Sequence, residues 1–294
     1  MRAVLAGEGM LELSRDGPGW RLSHGGDTLN LAIHLARAGI QTAFLTALGT
    51  DRFSQGLRAQ WADEGLDTSL ILTDPARNPG LYAIAKDAAG ERSFTYWRGD
   101  SAARGMFACS GIEQALERAA QADLFGFSLI TLAILPPPAR ERLYALARQI
   151  RARGGKVAFD GNYRPRLWRN AREARAACAA AIACADIGLP TLEDEVALHG
   201  AGDAGQVARH WASLGCAETV VKLGALGCRL PDGAILPPPR MLEPVDTSGA
   251  GDAFDAGYLS ARMNGAGIAE SAAAGHALAG WTIMRPGASP PRDS

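Results

Sequence analysis

The chain has 294 residues, with 30 basic and 31 acidic side chains and a formal net charge of −1. That balance leaves no whole-molecule field to gather nucleic acid or an anionic membrane, so any anion must be bound locally. The five cysteines (Cys109, Cys178, Cys184, Cys216 and Cys228) are odd in number and never spaced Cys-x-x-Cys, a pattern of reduced, packed thiols in a cytoplasmic protein rather than of a disulfide framework or zinc site.

In chain order, the opening MRAVLAGEGMLEL interrupts its apolar run with Glu8 and Glu12, which argues against a signal peptide. Short apolar or β-branched runs at 3–5, 42–45, 123–127, 156–159, 186–189 and 219–223 predict strands, and longer stretches between them, such as 140–153 and 170–184, carry helical periodicity. Strands alternating with helices predict an α/β fold with a mostly parallel central sheet and helices on both faces. The apolar stretch 124–135 ends at three prolines, is too short to span a bilayer, and reads as a buried strand with its exit loop. Two segments break the rhythm. Residues 12–22 and 80–98, the second with a turn around 87–90, look like β excursions that could form a lid over a crevice. The last residues, 289–294, read as a disordered tail. We expect a single domain over 1–294 with those lid segments inserted, since this length also permits one large α/β domain.

The segment Asp246-Thr247-Ser248-Gly249-Ala250-Gly251-Asp252 runs a glycine-rich turn directly into a small-residue helix. Such a junction aims free N–H groups and the positive helix end at one point, the backbone's way of binding phosphate. An acid in a first helical turn can be a mere helix-favouring residue. Asp246 six residues earlier, and the alanine between two glycines, make a denser arrangement than capping requires. Phosphoryl transfer to an alcohol needs a proton acceptor and donors around the transferred group; Asp252 could supply the first and the amides of Gly249, Ala250 and Gly251 the second. There is no G-x-x-x-x-G-K-[ST] and no G-x-G-x-x-G.

This segment resembles the second signature of the PfkB, or ribokinase-like, carbohydrate kinases. The run His24-Gly25-Gly26-Asp27-Thr28-Leu29-Asn30, followed by Leu35-Ala36-Arg37-Ala38-Gly39, is similar to their first signature. The resemblance covers essentially the whole chain. It implies a ribokinase-like domain with a small β lid, Asp252 as catalytic base, Gly249 to Gly251 as anion hole, and Gly25, Gly26 and Asn30 facing the sugar. Taken alone, Gly25-Gly26 before an amphipathic helix is also a plain loop and cap. Lys222-Leu223-Gly224-Ala225-Leu226-Gly227 resembles the family's nucleotide loop, which assigns Lys222, Gly224 and Gly227 to the cofactor. His276 stands where relatives place an adenine neighbour, and either stacks there or caps a helix.

Two clusters bear on the substrate, Arg92–Arg98 with Tyr96, continuing to Ser101–Arg104, and Phe159–Trp168 with Arg164. Both resemble segments of the family's 2-keto-3-deoxygluconate kinases, in which tyrosines and arginines hold a sugar acid; this assigns Tyr82, Tyr96, Arg98 and Arg164. A planar guanidinium binds a carboxylate with two charge-assisted hydrogen bonds, which a neutral hexose would not require. The family's magnesium-linked motif aligns with Thr191-Leu192-Glu193-Asp194, next to Glu195, and leaves open which carboxylate acts, with Asp194 and Glu195 assigned. The resemblance implies ATP and Mg²⁺, leaves a monovalent cation open, and implies a homo-oligomer because lid edges in such kinases often pair between subunits. The resulting expectation is ATP-dependent phosphorylation of 2-keto-3-deoxygluconate at its C6 hydroxyl. The alternatives are a fructokinase- or ribokinase-type enzyme and a non-catalytic sugar-binding protein on the same fold.

Overall fold

The computed structural model describes residues 1–16, 19–86, 92–200 and 202–291. Seven parallel strands form the central sheet, in the spatial order Glu218–Thr219, Ile187–Gly188, Lys156–Asp160, Leu124–Ser128, Arg2–Ala6, Gln41–Leu48 and Ile71–Thr73. After Arg2–Ala6 the chain builds outward on one side, then returns with Leu124–Ser128 to build on the other. The crevice beyond the strand ends at such a reversal is where open α/β sheets bind ligands. Ser128, Asp160 and the loop Gly7–Gly9 lie at those ends.

The six predicted strands are present. The run 219–223 is divided: Glu218–Thr219 closes the main sheet, while Val221–Lys222 pairs antiparallel with Cys228–Arg229, which pairs with Ile235–Leu236. The stretch 124–135 differs from expectation. Its strand ends at Ser128, and a short helix, Leu129–Ile134, follows at once where an exit loop was expected. Ser128 and Thr131 form a capping box, so two hydroxyls satisfy the amides that a buried loop would leave unpaired.

The two β excursions join into one four-stranded sheet, Gly19–Gly25, Met10–Asp16, Leu81–Lys86 and Arg92–Trp97, in that order. Its middle pair is parallel and its outer pairs antiparallel. The turn expected at 87–90 lies outside the described residues. Trp20, Leu22, Tyr96 and Trp97 of this sheet are exposed.

The predicted helices are Pro137–Ala152 and Ala171–Ile182, the second capped by Asn170. On one side of the central sheet Phe125, Phe127, Phe159 and Trp211 pack in series, with ring centroids 5.6, 5.2 and 5.5 Å apart. On the other, Asp27–Arg37 and Ala250–Met263 bury Leu29, Ile33, Phe254 and Tyr258. Among the described residues no helix is long and apolar enough to cross a membrane.

The expected tail is ordered through Pro291 as far as the description reaches; 292–294 lie outside it. The segment 287–290 has partners that hold it: the Gly287 amide donates to Asp246, the Ala288 carbonyl faces His34 Nε2, the Ser289 hydroxyl donates to Asn30, and Arg37 donates to the Pro290 carbonyl.

Trp211 is fully buried on Phe159, and its ring fills the space beside Gly188, where a Cβ would come within 2.4 Å of it. Trp211→Ala is expected to cost about 3–5 kcal/mol of folding free energy, read from urea denaturation, because so large a space cannot collapse fully.

Candidate active site

The helix Ala250–Met263 begins at Gly249, which has φ +68°. A Cβ there would lie 2.6–2.8 Å from Ala288, so both the left-handed turn and the passage of residue 288 require glycine. Asp246 ties this loop down, with one carboxylate oxygen accepting from the Ser248 amide at 2.8 Å and the other from the Gly287 amide at 3.0 Å. The Ala250 amide turns toward the Thr247 carbonyl at 3.3 Å. The next amides, of Gly251 and Asp252, belong to the first turn, where an α-helix supplies no carbonyl four residues back.

Asp252 projects from that turn toward the helix Asp27–Arg37. Asn30 Nδ2 donates to its carboxylate at 2.8 Å, and Ser289 Oγ donates to Asn30 Oδ1 at 3.2 Å. Burial, then the nearby charge of Asp27, push the Asp252 carboxyl up to about 8, while the Asn30 hydrogen bond and Lys222 pull the other way. A carboxyl poised there can accept a proton near neutral pH. Asp27, Asp160, Asp252 and Asp255 surround a space of only about 10 Å³, room for one water. Asp27 accepts from Asn162 at 3.2 Å.

Two of these carboxylates, Asp160 and Asp255, were given no role from the sequence. Asp255 lies three residues after Asp252, a spacing that puts both on one helix face and could have flagged it. Asp160 ends a central strand, and that position was a signal too. Both contact Lys222, whose Nζ is 2.9 and 3.1 Å from the Asp255 oxygens and 3.2 Å from Asp160.

A cavity of about 800 Å³ opens beside this cluster, within the range of small-molecule sites. Lys222, Gly224, Gly227 and His276 all line it, as do Ala250 and Gly251. The four residues assigned from the sequence to a nucleotide thus meet in one place, next to the helix N-terminus. Pro239, Met241 and Trp281 give the far wall an apolar face. His276 sits inside the helix Ile268–Ile283, which removes the capping reading. Its Nε2 faces the Leu236 carbonyl at 3.1 Å and its ring meets Phe254 edge-on at 5.0 Å.

The four-stranded sheet brings the tyrosines over the N-terminus of Asp27–Arg37. Tyr82 is buried, its hydroxyl donates to Glu12, and Tyr96 stacks on it with ring centroids 5.7 Å apart. A Cβ on Gly25 would come within 2.1 Å of the Tyr82 hydroxyl, so the close approach demands glycine. Gly26 is the helix N-cap residue and makes no side-chain cap. Arg98 is buried in an ion pair with Glu8, and its Nε has no partner among the described residues. Arg164 is half exposed, paired with Asp194 at 3.1 Å. Glu8 and Glu12 drew attention in the sequence only as interruptions of an apolar run, yet both carboxylates face inward and orient these side chains.

Of the three acids after Thr191, Glu195 is buried where a Cβ on Gly161 would be 3.1 Å from its Oε1, and its Oε2 is 3.6 Å from His199. Burial raises its carboxyl to about 7. Glu193 is exposed near the Gly224 loop, 3.9 Å from the position of a Cβ there. Among the described residues no three His, Cys, Asp or Glu side chains converge as a metal cage. The oxygen donors present after Thr191, Asp194 and Glu195, are of the kind that suits Mg²⁺ carried on nucleotide phosphates, an ion that keeps several waters and takes one or two protein carboxylates.

The chain is similar to known proteins along nearly its whole length. A 2-dehydro-3-deoxygluconokinase of Dickeya dadantii is 42% identical to the chain, covering 97% of it and 95% of the relative. A 2-dehydro-3-deoxygluconokinase of Escherichia coli is 40% identical, covering 100% and 98%. The crystal structure of aminoimidazole riboside kinase from Salmonella enterica, in complex with aminoimidazole riboside and an ATP analog, superposes with a TM-score of 0.83 at 27% identity, covering 98% of this chain and 95% of that one. Residues 6–294 match the pfkB family of carbohydrate kinases, to which this chain therefore belongs.

Proposed function

We propose that this carbohydrate kinase phosphorylates 2-keto-3-deoxygluconate from ATP at the C6 hydroxyl, as one kinase unit whose small sheet acts as a lid. The observation that carries the reading is the position of Asp252: a partly buried carboxylate in the same helical turn that lines the nucleotide-sized cavity, facing Asn30 of the helix under Tyr82. The two relatives at 40% identity or more, each named 2-dehydro-3-deoxygluconokinase, support the choice of acceptor.

In this mechanism Gly25, Gly26 and Asn30 receive the sugar, with Tyr82 and Tyr96 above it. Arg98 presents its buried, unpaired Nε, and together with Arg164 holds the substrate carboxylate. Glu8 and Asp194 fix the two guanidiniums. ATP lies in the cavity of Lys222, Gly224, Gly227 and His276. Asp252 accepts the hydroxyl proton as the new P–O bond forms, and the amides of Gly249, Ala250, Gly251 and Asp252 form the anion hole that takes up charge on the transferred group. Bound Mg²⁺ would offset phosphate charge, with Asp194 or Glu195 holding its water shell; a monovalent cation would be an accessory to the same loop. Closing the lid excludes water from the transfer. The exposed Trp20, Leu22 and Trp97, on the face of the small sheet away from Tyr82 and Tyr96, support pairing of two small sheets in a homo-oligomer. The net charge of −1 supports small-molecule substrates rather than nucleic acid or membrane, and the odd, unpaired spacing of the five cysteines supports a cytoplasmic setting.

Asp252→Asn is expected to lower kcat by roughly 10³-fold or more while calorimetry still detects sugar binding, since a general base is lost and the cavity is kept. Turnover at the wild-type rate would sink the mechanism. The base acts only when ionised and burial holds its carboxyl near 8. kcat/KM should therefore fall as pH drops through that value, and Asp252→Asn should lose this acid limb. Arg98→Met and Arg164→Met should each raise KM for the sugar acid by about 10-fold or more, with a much smaller effect on fructose, because a charge-assisted contact is removed. Equal effects on both substrates would make the arginines structural. Gly249→Ala should reduce kcat and cost about 1–3 kcal/mol of stability, from strain at positive φ and the clash with Ala288.

A further inference from the structure

Lys222 was assigned to the nucleotide by the likeness of its segment to the family's nucleotide loop, but its surroundings give it a narrower role. Its side chain is 8% exposed, and Nζ is held from two sides, by Asp255 at 2.9 and 3.1 Å and by Asp160 at 3.2 Å. A Cβ on Gly251 would lie 3.6 Å from that Nζ, so the ammonium stands directly beside the first helical turn. Lys222 lines the nucleotide-sized cavity, whereas Asp160 and Asp255 line the small acidic space with Asp252 and Asp27. It therefore occupies the wall between the place for the donor and the base.

The charge balance makes this position consequential. A phosphoryl group arriving at Gly251 brings negative charge toward four carboxylates. Asp252 is faced by Asp27 and Asn30 from the first helix, Asp160 from the central strand, Asp255 from its own helix, Tyr82, itself bonded to Glu12, from the small sheet, and Lys222. Lys222 is the one cation in that set. Burial works against its charge, yet Asp160 and Asp255 more than offset this and keep it protonated.

We propose that Lys222 is a catalytic cation that contacts the phosphoryl group in transit beside the Gly251 amide, and that Asp160 and Asp255 are positioning residues that fix its ammonium there. The proposal rests on the reading of Asp252 and its loop as the transfer site. In the step, the bond from the terminal phosphorus to the leaving ADP oxygen breaks as the bond from the sugar hydroxyl oxygen forms. The hydroxyl proton passes to Asp252, and Lys222 keeps all its protons. An ammonium fits this task because the phosphoryl oxygens gain charge density from both ends of the transfer in a site that excludes water.

The experiment compares Lys222→Met and Lys222→Arg with the wild-type enzyme, on whichever acceptor a panel of sugars and sugar acids shows the wild type to use best. It records kcat and its pH dependence, and measures ADP affinity by calorimetry. Lys222→Met should lose on the order of 100-fold in kcat while ADP affinity changes by no more than about threefold, as for removal of a group that acts on the transition state. Its acid limb should move to higher pH, because Asp252 loses its one cationic neighbour. Lys222→Arg keeps the charge, should keep the limb, and should retain kcat within about tenfold. An unmoved limb in Lys222→Met with ADP binding weakened in step with kcat/KM overturns the proposal and returns Lys222 to plain nucleotide contact. If the methionine variant fails to fold, an arginine variant that folds and binds ADP yet loses on the order of 100-fold in kcat overturns it equally. A wild type that turns over a neutral sugar and no sugar acid refutes the substrate reading alone, and this test then runs on that sugar.

Discussion

A single buried ammonium among four carboxylates is the constraint around which this molecule is arranged. Taking charges out of water is expensive, and a buried pair survives only when its geometry is closely held. The central strand Lys156–Asp160, the strand Val221–Lys222 and the helix Ala250–Met263 each contribute one member of the Asp160–Lys222–Asp255 contact. Three elements far apart in sequence are thereby fixed to one another at the sheet's carboxyl edge. Asp252 inherits its position from that fixation, one helical turn from Asp255 and within reach of Asn30.

A second pair of acidic residues organises the small sheet. Glu8 and Glu12 both follow the point where the chain leaves the central sheet at Ala6, and they hold Arg98 and Tyr82, which lie at the strand pair Leu81–Lys86 and Arg92–Trp97 some seventy to ninety residues later. The parallel pairing of Met10–Asp16 with Leu81–Lys86 brings the two excursions together. Side-chain carboxylates then set where the aromatic face of the sheet meets the loop Gly25–Gly26. A guanidinium and a phenol thus have fixed directions before any ligand enters, which lowers the ordering cost of binding.

The sequence was informative wherever the physics is local. Strand and helix runs follow from periodicity, and the turn in Asp246–Asp252 follows from Gly249, whose left-handed dihedral and close contact with Ala288 favour glycine. The resemblance of two motifs placed residues 25–30 and 249–252 in one site, and Asn30 does meet Asp252. What stayed hidden depends on contacts across long chain separations. Nothing around Glu8 indicates that its partner is Arg98, ninety positions on, and nothing in the loop after Val221 says that Lys222 turns toward Asp160 and Asp255. The helix Leu129–Ile134 escaped because an apolar run carries no periodicity, and Ser128 and Thr131 state its start only once they are seen to cap each other.

The segment 287–290 reaches back to Asp246, Asn30, His34 and Arg37. Ser289 is the hydrogen-bond donor behind the very asparagine that touches Asp252, and Ala288 packs against Gly249. The central sheet and the small sheet are held by strand pairings of their own, whereas the hydrogen-bond chain behind Asp252 closes only through this segment. A substitution at 288 or 289 would therefore leave both sheets standing and still be felt at Asp252, through Gly249 or through Asn30, without touching it.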